Sequence, residues 1–151
     1  MATETTLVLV KPDGVQRGLS GEIIRRLEQT GLKVVGLKLM QVSRELAGRH
    51  YGEHEGKPFY EGLVNYITSS PVVALALEGP DAIFITRKIV GVTKPAEAAP
   101  GTIRGDLGVD IGRNLIHGSA NAKDASREVA LFFEPSELLR WDRAIEGWIT
   151  E

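Results

Sequence analysis

Four short apolar runs limit the architectures open to this chain. They span residues 7–10, 32–40, 72–77 and 129–133. Turn residues, among them Pro12 and Gly14, follow the first run. Short apolar runs that end in turn residues are typical of strands covered on both faces. We therefore expect a sheet with helices packed against it.

The segments between these runs have helical spacing. Ser20 is predicted to cap a helix that Gly31 ends, and Ser43 to cap a second helix that reaches about Tyr51. Pro58 favours the first turn of a third helix, because proline is well tolerated there. Two further helices are predicted over residues 80–90 and 122–128.

The predicted order of elements is β-α-β-α-α-β-α-loop-α-β-tail. Helices between strands, with no internal repeat and no linker, are typical of an α/β fold of the α+β sandwich kind and of the ferredoxin-like type. The length of 151 residues fits a single domain over residues 1–151. Gly36, inside the second apolar run, is predicted to mark a β-bulge or a close backbone contact.

Residues 92–119 lack periodicity and are rich in glycine and proline. Such a long loop is uncommon in a small domain and is usually either functional or disordered. The segment is not of low complexity, and it carries Arg104, Arg113, Asn114 and His117. We therefore predict an ordered functional loop.

Composition argues against several classes of protein. The net charge of -2 disfavours a specific nucleic-acid binder, because duplex affinity depends on many uncompensated lysines and arginines. Without cysteine, disulfides and thiolate metal sites are impossible. Residues 1–6 lack the basic and apolar segments of a secretory signal, and no apolar run approaches the roughly 20 residues of a membrane span. A cytoplasmic protein without a membrane segment is expected.

Three histidines are candidate chemical groups. His50 and His54 are four residues apart and could hold zinc with Glu53, but the H-E-x-x-H spacing of zinc hydrolases is absent. The simpler interpretation is that both are solvated polar residues near a helix end. His117 lies between glycines, which let the backbone approach a ligand closely. The alternative for His117 is a loop histidine satisfied by local hydrogen bonds.

A histidine in such a loop is suited to accept a phosphoryl group. Its ordinary pKa of about 6.5 leaves a neutral, nucleophilic nitrogen at pH 7. Phosphoryl transfer also needs positive charge around the phosphate oxygens, for which Lys11, Arg87 and Arg104 are candidates. Taken singly, each of these residues is more readily interpreted as a surface charge. No P-loop and no Rossmann glycine motif occurs, so the phosphate cradle must be of another kind.

At these residues the sequence resembles the nucleoside diphosphate kinases. The matching strings are KPDGV at 11–15, HY at 50–51, KPF at 57–59, GLV at 62–64, GVTKP at 91–95, PGTIRGD at 100–106 and NLIHGS at 114–119. The resemblance runs from about Thr5 to Glu151. The last two strings, in this order and at this spacing, are highly specific.

The resemblance implies a ferredoxin-like βαββαβ core with an antiparallel four-stranded sheet. It implies a ping-pong reaction in which a nucleoside triphosphate, mainly ATP, phosphorylates the δ nitrogen of His117. A nucleoside diphosphate then collects the phosphate, with little base specificity. Glu128 matches the carboxylate that orients the ring, and Ser119 matches the hydroxyl beside it. The phosphate- and sugar-binding positions match Lys11, Tyr51, Arg87, Thr93, Arg104 and Asn114.

The resemblance extends to the base, the metal and the assembly. Phe59 matches the aromatic residue that stacks on the base, and stacking, at roughly 1–3 kcal/mol per base, tolerates purines and pyrimidines alike. Without the resemblance, Phe59 is interpreted as a core residue of the helix after Pro58. Mg²⁺ is the expected cofactor, carried by the nucleotide phosphates with no metal site built by the protein. Residues 148–151 resemble those of hexameric relatives, so a homo-hexamer is favoured over a tetramer.

Two positions depart from the family pattern. Ala120 stands where many relatives carry an acidic residue. The absence of that acid is expected to weaken the start of the next helix. Lys94 stands where Asn or Asp is more usual, which could alter a surface used in subunit contacts. A rival hypothesis is a regulatory or binding protein on the same fold. Such a protein is expected to have lost His117, Lys11 or one of the arginines Arg87 and Arg104, and all are present.

Overall fold

The computed structural model describes residues 3–151 and contains a four-stranded sheet. Its strands are β1 (Thr3–Val10), β2 (Lys33–Met40), β3 (Val72–Pro80) and β4 (Ile116–Gly118). The helices are α1 (Pro12–Gln16), α2 (Ser20–Glu28), α3 (Arg44–His50), α4 (Tyr60–Ile67), α5 (Ala82–Val90), α6 (Ile103–Leu107) and α7 (Ala122–Phe132). Met1 and Ala2 lie outside the described residues. The predicted domain, residues 1–151, and the segment predicted to lack a secretory signal, residues 1–6, both begin with them.

The strands follow the order β2-β3-β1-β4 and every neighbouring pair is antiparallel. The elements β1-α2-β2-β3-α5-β4 form a βαββαβ core, with α3 and α4 inserted between β2 and β3. The predicted ferredoxin-like fold class is confirmed. The register of β2 shifts between Val34 and Gly36, so the predicted bulge is also present. A Cβ on Gly36 would lie 2.9 Å from the Phe133 ring, which explains a glycine there.

Each face of the sheet has its own apolar core. Leu7 and Leu9 of β1 pack with residues of α3, α4 and α7, whereas Val8 and Val10 pack with residues of α2, α5 and α6. All four side chains are fully buried. Successive strand residues point to opposite faces, so the continuous apolar run at the start of the chain reflects a strand covered on both sides.

Helix starts show which capping predictions hold. The Ser43 hydroxyl accepts a hydrogen bond from Leu46 N at 3.0 Å and caps α3, as predicted. The prediction for Ser20 is wrong, because Ser20 is the first residue of α2 and makes no capping bond. The Asn121 side chain caps α7 by accepting a bond from Asp124 N at 2.8 Å. Ala120 therefore removes no cap, so the weakening expected from a lost cap does not follow.

The fourth strand was predicted in the wrong place. Residues 129–132 complete α7 and Phe133 is its C-cap, because Val129 and Phe132 repeat at the three-residue spacing of a buried helix face. The actual fourth strand, β4, has only three residues, among them His117 and Gly118. It lies inside the segment predicted as a loop, which also contains α6. Among the described residues, no helix is both long and apolar enough to span a bilayer.

Candidate active site

The end of β1, the end of α5, α6 and the loop before β4 meet around one cavity. Its volume is about 220 Å³. The lining residues are Lys11, Arg87, Val90, Gly91, Thr93, Arg104, Asn114, His117, Gly118 and Ala120. Six of the predicted site residues therefore share one cavity, although they come from positions as far apart in sequence as 11 and 117.

His117 is held by a buried carboxylate. It pairs with Leu9 across the sheet, and its Nε2 lies 2.7 Å from Glu128 Oε1 on α7. A carboxylate oxygen accepts hydrogen bonds, so Nε2 carries the proton in this pair. Nδ1 of the neutral ring then carries the free lone pair. The contact thus leaves Nδ1 as the ring nitrogen that is available to act as a nucleophile.

Ser119 completes this support. Its hydroxyl donates to Glu128 Oε1 at 2.8 Å and accepts a bond from Leu7 N at 3.2 Å. Burial alone would raise the pKa of Glu128, but the hydrogen bonds from His117 and Ser119 outweigh it and hold that pKa below its ordinary value. Glu128 is therefore a carboxylate at neutral pH.

Arg104 forms a fixed cationic wall. Its guanidinium donates to three backbone carbonyls, those of Asn114 at 3.2 Å, Gly91 at 3.1 Å and Ile116 at 2.6 Å. Burial, followed by the nearby charge of Arg87, lowers the pKa of Arg104 to about 10, which still leaves it charged at neutral pH. The charge is positioned before any ligand arrives, which favours anion binding.

Lys11 and Asn114 also line the cavity. Lys11 Nζ donates to Asn114 Oδ1 at 2.8 Å, and Asn114 Nδ2 donates to the Thr93 carbonyl at 3.0 Å. Burial and the charge of Arg104 lower the pKa of Lys11 to about 8, an effect that Asp13 partly offsets. Arg87 is held by a bond from Nη1 to the Gly118 carbonyl at 3.2 Å.

A strained turn joins Asn114 to β4. Leu115 has a φ of +76°, and Ile116 N donates to Asn114 O at 2.9 Å across it. This is a γ-turn of the rare handedness, and such a backbone conformation costs a non-glycine residue on the order of 1–3 kcal/mol. Its presence two residues before His117 was not predicted from the sequence.

A row of aromatic rings leads from His117 to the surface. The ring of His50 lies 4.9 Å from that of His117, Tyr51 lies 4.7 Å from His50, and His54 lies 6.4 Å from Tyr51. Phe59 follows at 5.2 Å from His54 and is 50% exposed, so it is not a core residue. Tyr51 and Phe59 therefore flank the cavity on this side without lining it.

His50 corrects a sequence-based interpretation. It is 4% exposed, not solvated, and burial lowers its pKa to about 3, with a smaller electrostatic contribution from the nearby His117 ring. Its Nδ1 has no hydrogen-bond partner within residues 3–151. The available signal was its spacing of three residues from the buried Ala47, which puts both side chains on the inner face of α3.

A histidine hydrogen-bonded to a carboxylate, at a cavity lined by one lysine and two arginines, is an arrangement suited to phosphoryl transfer through a histidine acceptor. The sequence agrees, because a family model described as "Nucleoside diphosphate kinase" matches residues 4–138. This chain belongs to the nucleoside diphosphate kinase family. The predicted family is confirmed.

Relatives of known identity are similar over nearly their whole length. Nucleoside diphosphate kinase of Thermomicrobium roseum is 62% identical over 146 residues, which cover 97% of this chain and 98% of that protein. The protein of the same name from Carboxydothermus hydrogenoformans is 60% identical over 148 residues, or 98% of this chain and 99% of that protein.

Solved structures are similar as well. A halophilic nucleoside diphosphate kinase from Halobacterium salinarum, in complex with CDP, superposes with a TM-score of 0.96 at 55% identity and covers 99% of this chain and 100% of that chain. A nucleoside diphosphate kinase family protein from Babesia bovis gives a TM-score of 0.96 at 48% identity, covering 97% of this chain and 99% of that chain.

Proposed function

We propose that His117 Nδ1 receives the γ-phosphate of a nucleoside triphosphate, mainly ATP, and passes it to a nucleoside diphosphate. The family activity is that of a phosphotransferase, and the residue roles given below are our assignment. The observation that carries the proposal is the 2.7 Å contact between His117 Nε2 and Glu128 Oε1. It supports Nδ1 as the nucleophile, because Nε2 is committed to the carboxylate.

The transfer has two steps. In the first, the Nδ1 lone pair forms a bond to the γ-phosphorus, the bond to the β–γ bridging oxygen breaks, and the diphosphate leaves with that electron pair. Glu128 stabilises the positive charge on the ring through the Nε2 hydrogen. In the second step, a terminal oxygen of another diphosphate attacks phosphorus, and the electrons of the N–P bond return to Nδ1.

The surrounding charges suit the phosphates in both steps. Lys11, Arg87 and Arg104 line the cavity with Asn114, and we assign them to the phosphate oxygens. Thr93 lines the same cavity and is assigned to the phosphates and the sugar. Two assignments lie further out.

Tyr51 and Phe59 are assigned to the approach of the nucleotide. Burial, followed by the charge of Glu128, raises the pKa of Tyr51 to about 12, so its hydroxyl stays a neutral donor. The half-exposed ring of Phe59 is available for stacking on a base, which is worth roughly 1–3 kcal/mol whichever base is present. The CDP complex of the Halobacterium relative supports a diphosphate as acceptor.

The activity of a nucleotide kinase generally uses a divalent metal, and we propose Mg²⁺ on the nucleotide phosphates. Within residues 3–151, three potential ligands come close together at His50, His117 and Glu128, with ligand atoms within 4.8 Å of one another. Two of these ligands are nitrogens, whereas Mg²⁺ requires oxygens. Arg127 Nη2 also lies 3.6 Å from Glu128 Oε2. These residues do not suit a protein-held Mg²⁺.

For the assembly we propose a homo-hexamer built from the single domain of residues 1–151. The resemblance of residues 148–151 to hexameric relatives supports it, as does the 91% exposure of the Trp148 side chain, a large apolar surface to leave in water. Light scattering on the purified protein would separate a hexamer from a tetramer. Cell fractionation would check the expected cytoplasmic location.

Incubation with γ-labelled ATP and no acceptor tests the proposed acceptor. The wild-type chain should carry an acid-labile, base-stable phosphate, and added GDP should remove it as labelled GTP. His117→Ala should carry no label, because the nucleophile is missing.

His50→Ala and His54→Ala are the matched controls, since each removes one of the other two histidines of the chain. Both should retain the labelled intermediate. A labelled His117→Ala variant with full transfer activity would exclude His117 as the acceptor.

A further inference from the structure

The strained turn at Leu115 is anchored by the segment that follows β1. Leu115 N donates to Asp13 Oδ2 at 3.0 Å, and the Leu115 carbonyl accepts a bond from Lys11 N at 2.8 Å. Leu115 is fully buried. The backbone N–H and C=O of Leu115 are therefore both hydrogen-bonded to residues about 100 positions earlier in the chain. A non-glycine residue keeps such a conformation only when its surroundings hold it there.

Asp13 is itself fixed by an element that carries none of the assigned catalytic groups. The Tyr66 hydroxyl, on α4, donates a hydrogen bond to Asp13 Oδ1. Burial, and then this bond, raises the pKa of Tyr66 well above its ordinary value, so the hydroxyl remains a donor. Arg113 directly precedes Asn114, and its guanidinium lies 4.7 Å from the centre of the Tyr66 ring.

We propose that Asp13, fixed by Tyr66, is a positioning residue for His117, because its bond to Leu115 N maintains the γ-turn that sets the positions of Asn114 and β4. This inference rests on the proposed role of His117 as phosphoryl acceptor. Asp13 is not among the lining residues of the cavity and is given no contact with the substrate.

The turn determines the geometry of the site because the residues at its two ends hold cavity-lining side chains in place. Asn114, before Leu115, accepts the bond from Lys11 Nζ, and its carbonyl accepts Arg104 Nε. Ile116 follows Leu115 and precedes His117, and its carbonyl accepts a hydrogen bond from Arg104 Nη2. Relaxation of Leu115 to a negative φ would move both ends, and misplacement of a reacting group by about 1 Å can lower a rate roughly 100-fold.

Three variants test the proposal by single-turnover phosphorylation with γ-labelled ATP. Asp13→Ala removes both acceptors and should lower the rate of phosphoenzyme formation roughly 10- to 100-fold. Asp13→Asn should restore most of it, because the amide oxygen can accept Leu115 N–H while the amide N–H donates to Tyr66 Oη. Tyr66→Phe should cost about threefold to tenfold, the loss of one hydrogen bond.

Tyr60→Phe is the matched control, since it removes a hydroxyl from the same helix, and Tyr60 packs against the core on the other face of the sheet from Leu115. Its rate should equal that of the wild type. Hydrogen exchange supplies a local readout, because the Leu115 and Ile116 amides should exchange faster in Tyr66→Phe and not in Tyr60→Phe.

The outcomes separate the two proposals. Failure of the wild type to form a phosphoenzyme would refute the proposed function itself. A labelled wild type with unchanged rates and unchanged exchange in Tyr66→Phe would overturn the positioning role alone. Equal losses in folded Asp13→Ala and Asp13→Asn would overturn it as well, because the amide should rescue. If Asp13→Ala does not fold, Tyr66→Phe decides.

Discussion

Lys11 is assigned to bind phosphate at a position where burial works against its charge. With its pKa lowered to about 8, the ammonium is mostly charged at pH 7 and mostly neutral at pH 9. An incoming phosphate favours the charged form through the nearby negative charge. Nucleotide binding should therefore take up protons above pH 8, in contrast to a site built only from arginines.

Raising the pH should weaken nucleotide binding through this one residue. We expect the affinity for ADP to fall by up to roughly tenfold per pH unit above pH 8, because only the ammonium form binds the phosphate well. Lys11→Arg should remove this decline, since a guanidinium stays charged throughout the range. Titration calorimetry between pH 7 and 9 measures both, and equal slopes in the two proteins would rule out Lys11 as the source.

At the scale of elements, the site depends on close contact between α1 and the turn before β4. Gly14, in α1, is buried, and a Cβ there would lie 2.8 Å from Val10 Cγ1 and 3.1 Å from the Leu115 carbonyl oxygen. The absence of a side chain at this position lets the turn approach the end of β1. The segment that follows the first strand and the segment that contains His117 are therefore in direct contact in the fold.

Gly14→Ala should damage both stability and phosphorylation. Extra volume in a packed contact costs about 1–3 kcal/mol in the free energy of unfolding, and displacement of Leu115 should slow phosphoenzyme formation. Gly21→Ala in α2 is the control, because a Cβ there meets nothing within 4 Å. That change should leave stability equal or raise it by up to about 1 kcal/mol. Urea unfolding measures both variants, and similar effects at the two positions would contradict this explanation.

At the scale of the whole molecule, the buried imidazole of His50 makes the stability of the fold depend on pH. Its folded-state pKa is about 3, against an ordinary value of 6.5. Below pH 6.5 the unfolded chain binds a proton that the native protein does not bind. The stability of the fold therefore falls as the pH drops from 6.5 towards 3, by up to about 1.4 kcal/mol per pH unit from this group.

His50→Phe should reduce this loss of stability in acid. The wild type should lose about 2 kcal/mol more than the variant between pH 7 and 5, because phenylalanine takes up no proton in the unfolded state. Denaturant unfolding at pH 7, 6 and 5 checks the difference. Parallel stability curves for the two proteins would show that His50 is not the responsible group.

Local patterns explain which elements were predictable. Leu7 to Val10 predicted a strand covered on both faces, and Ser43 predicted a helix start, because burial and capping are properties of neighbouring residues. The fourth strand was misassigned because β4 has only three residues and contains a polar histidine. Its strand conformation comes from pairing with Val8, Leu9 and Val10, which are distant in sequence. The apolar residues after Glu128 were consistent with either a strand or a helix.

The sequence by itself determined the family, the fold class and the set of candidate site residues, because motif strings and apolar periodicity are properties of neighbouring positions. Only the tertiary structure decided which nitrogen of His117 is free, since that depends on Glu128 reaching across from α7. It also decided that His50 is buried against His117 and that Asp13 holds Leu115. These contacts join distant segments, and their distances and burial arise only when the sheet brings those segments together.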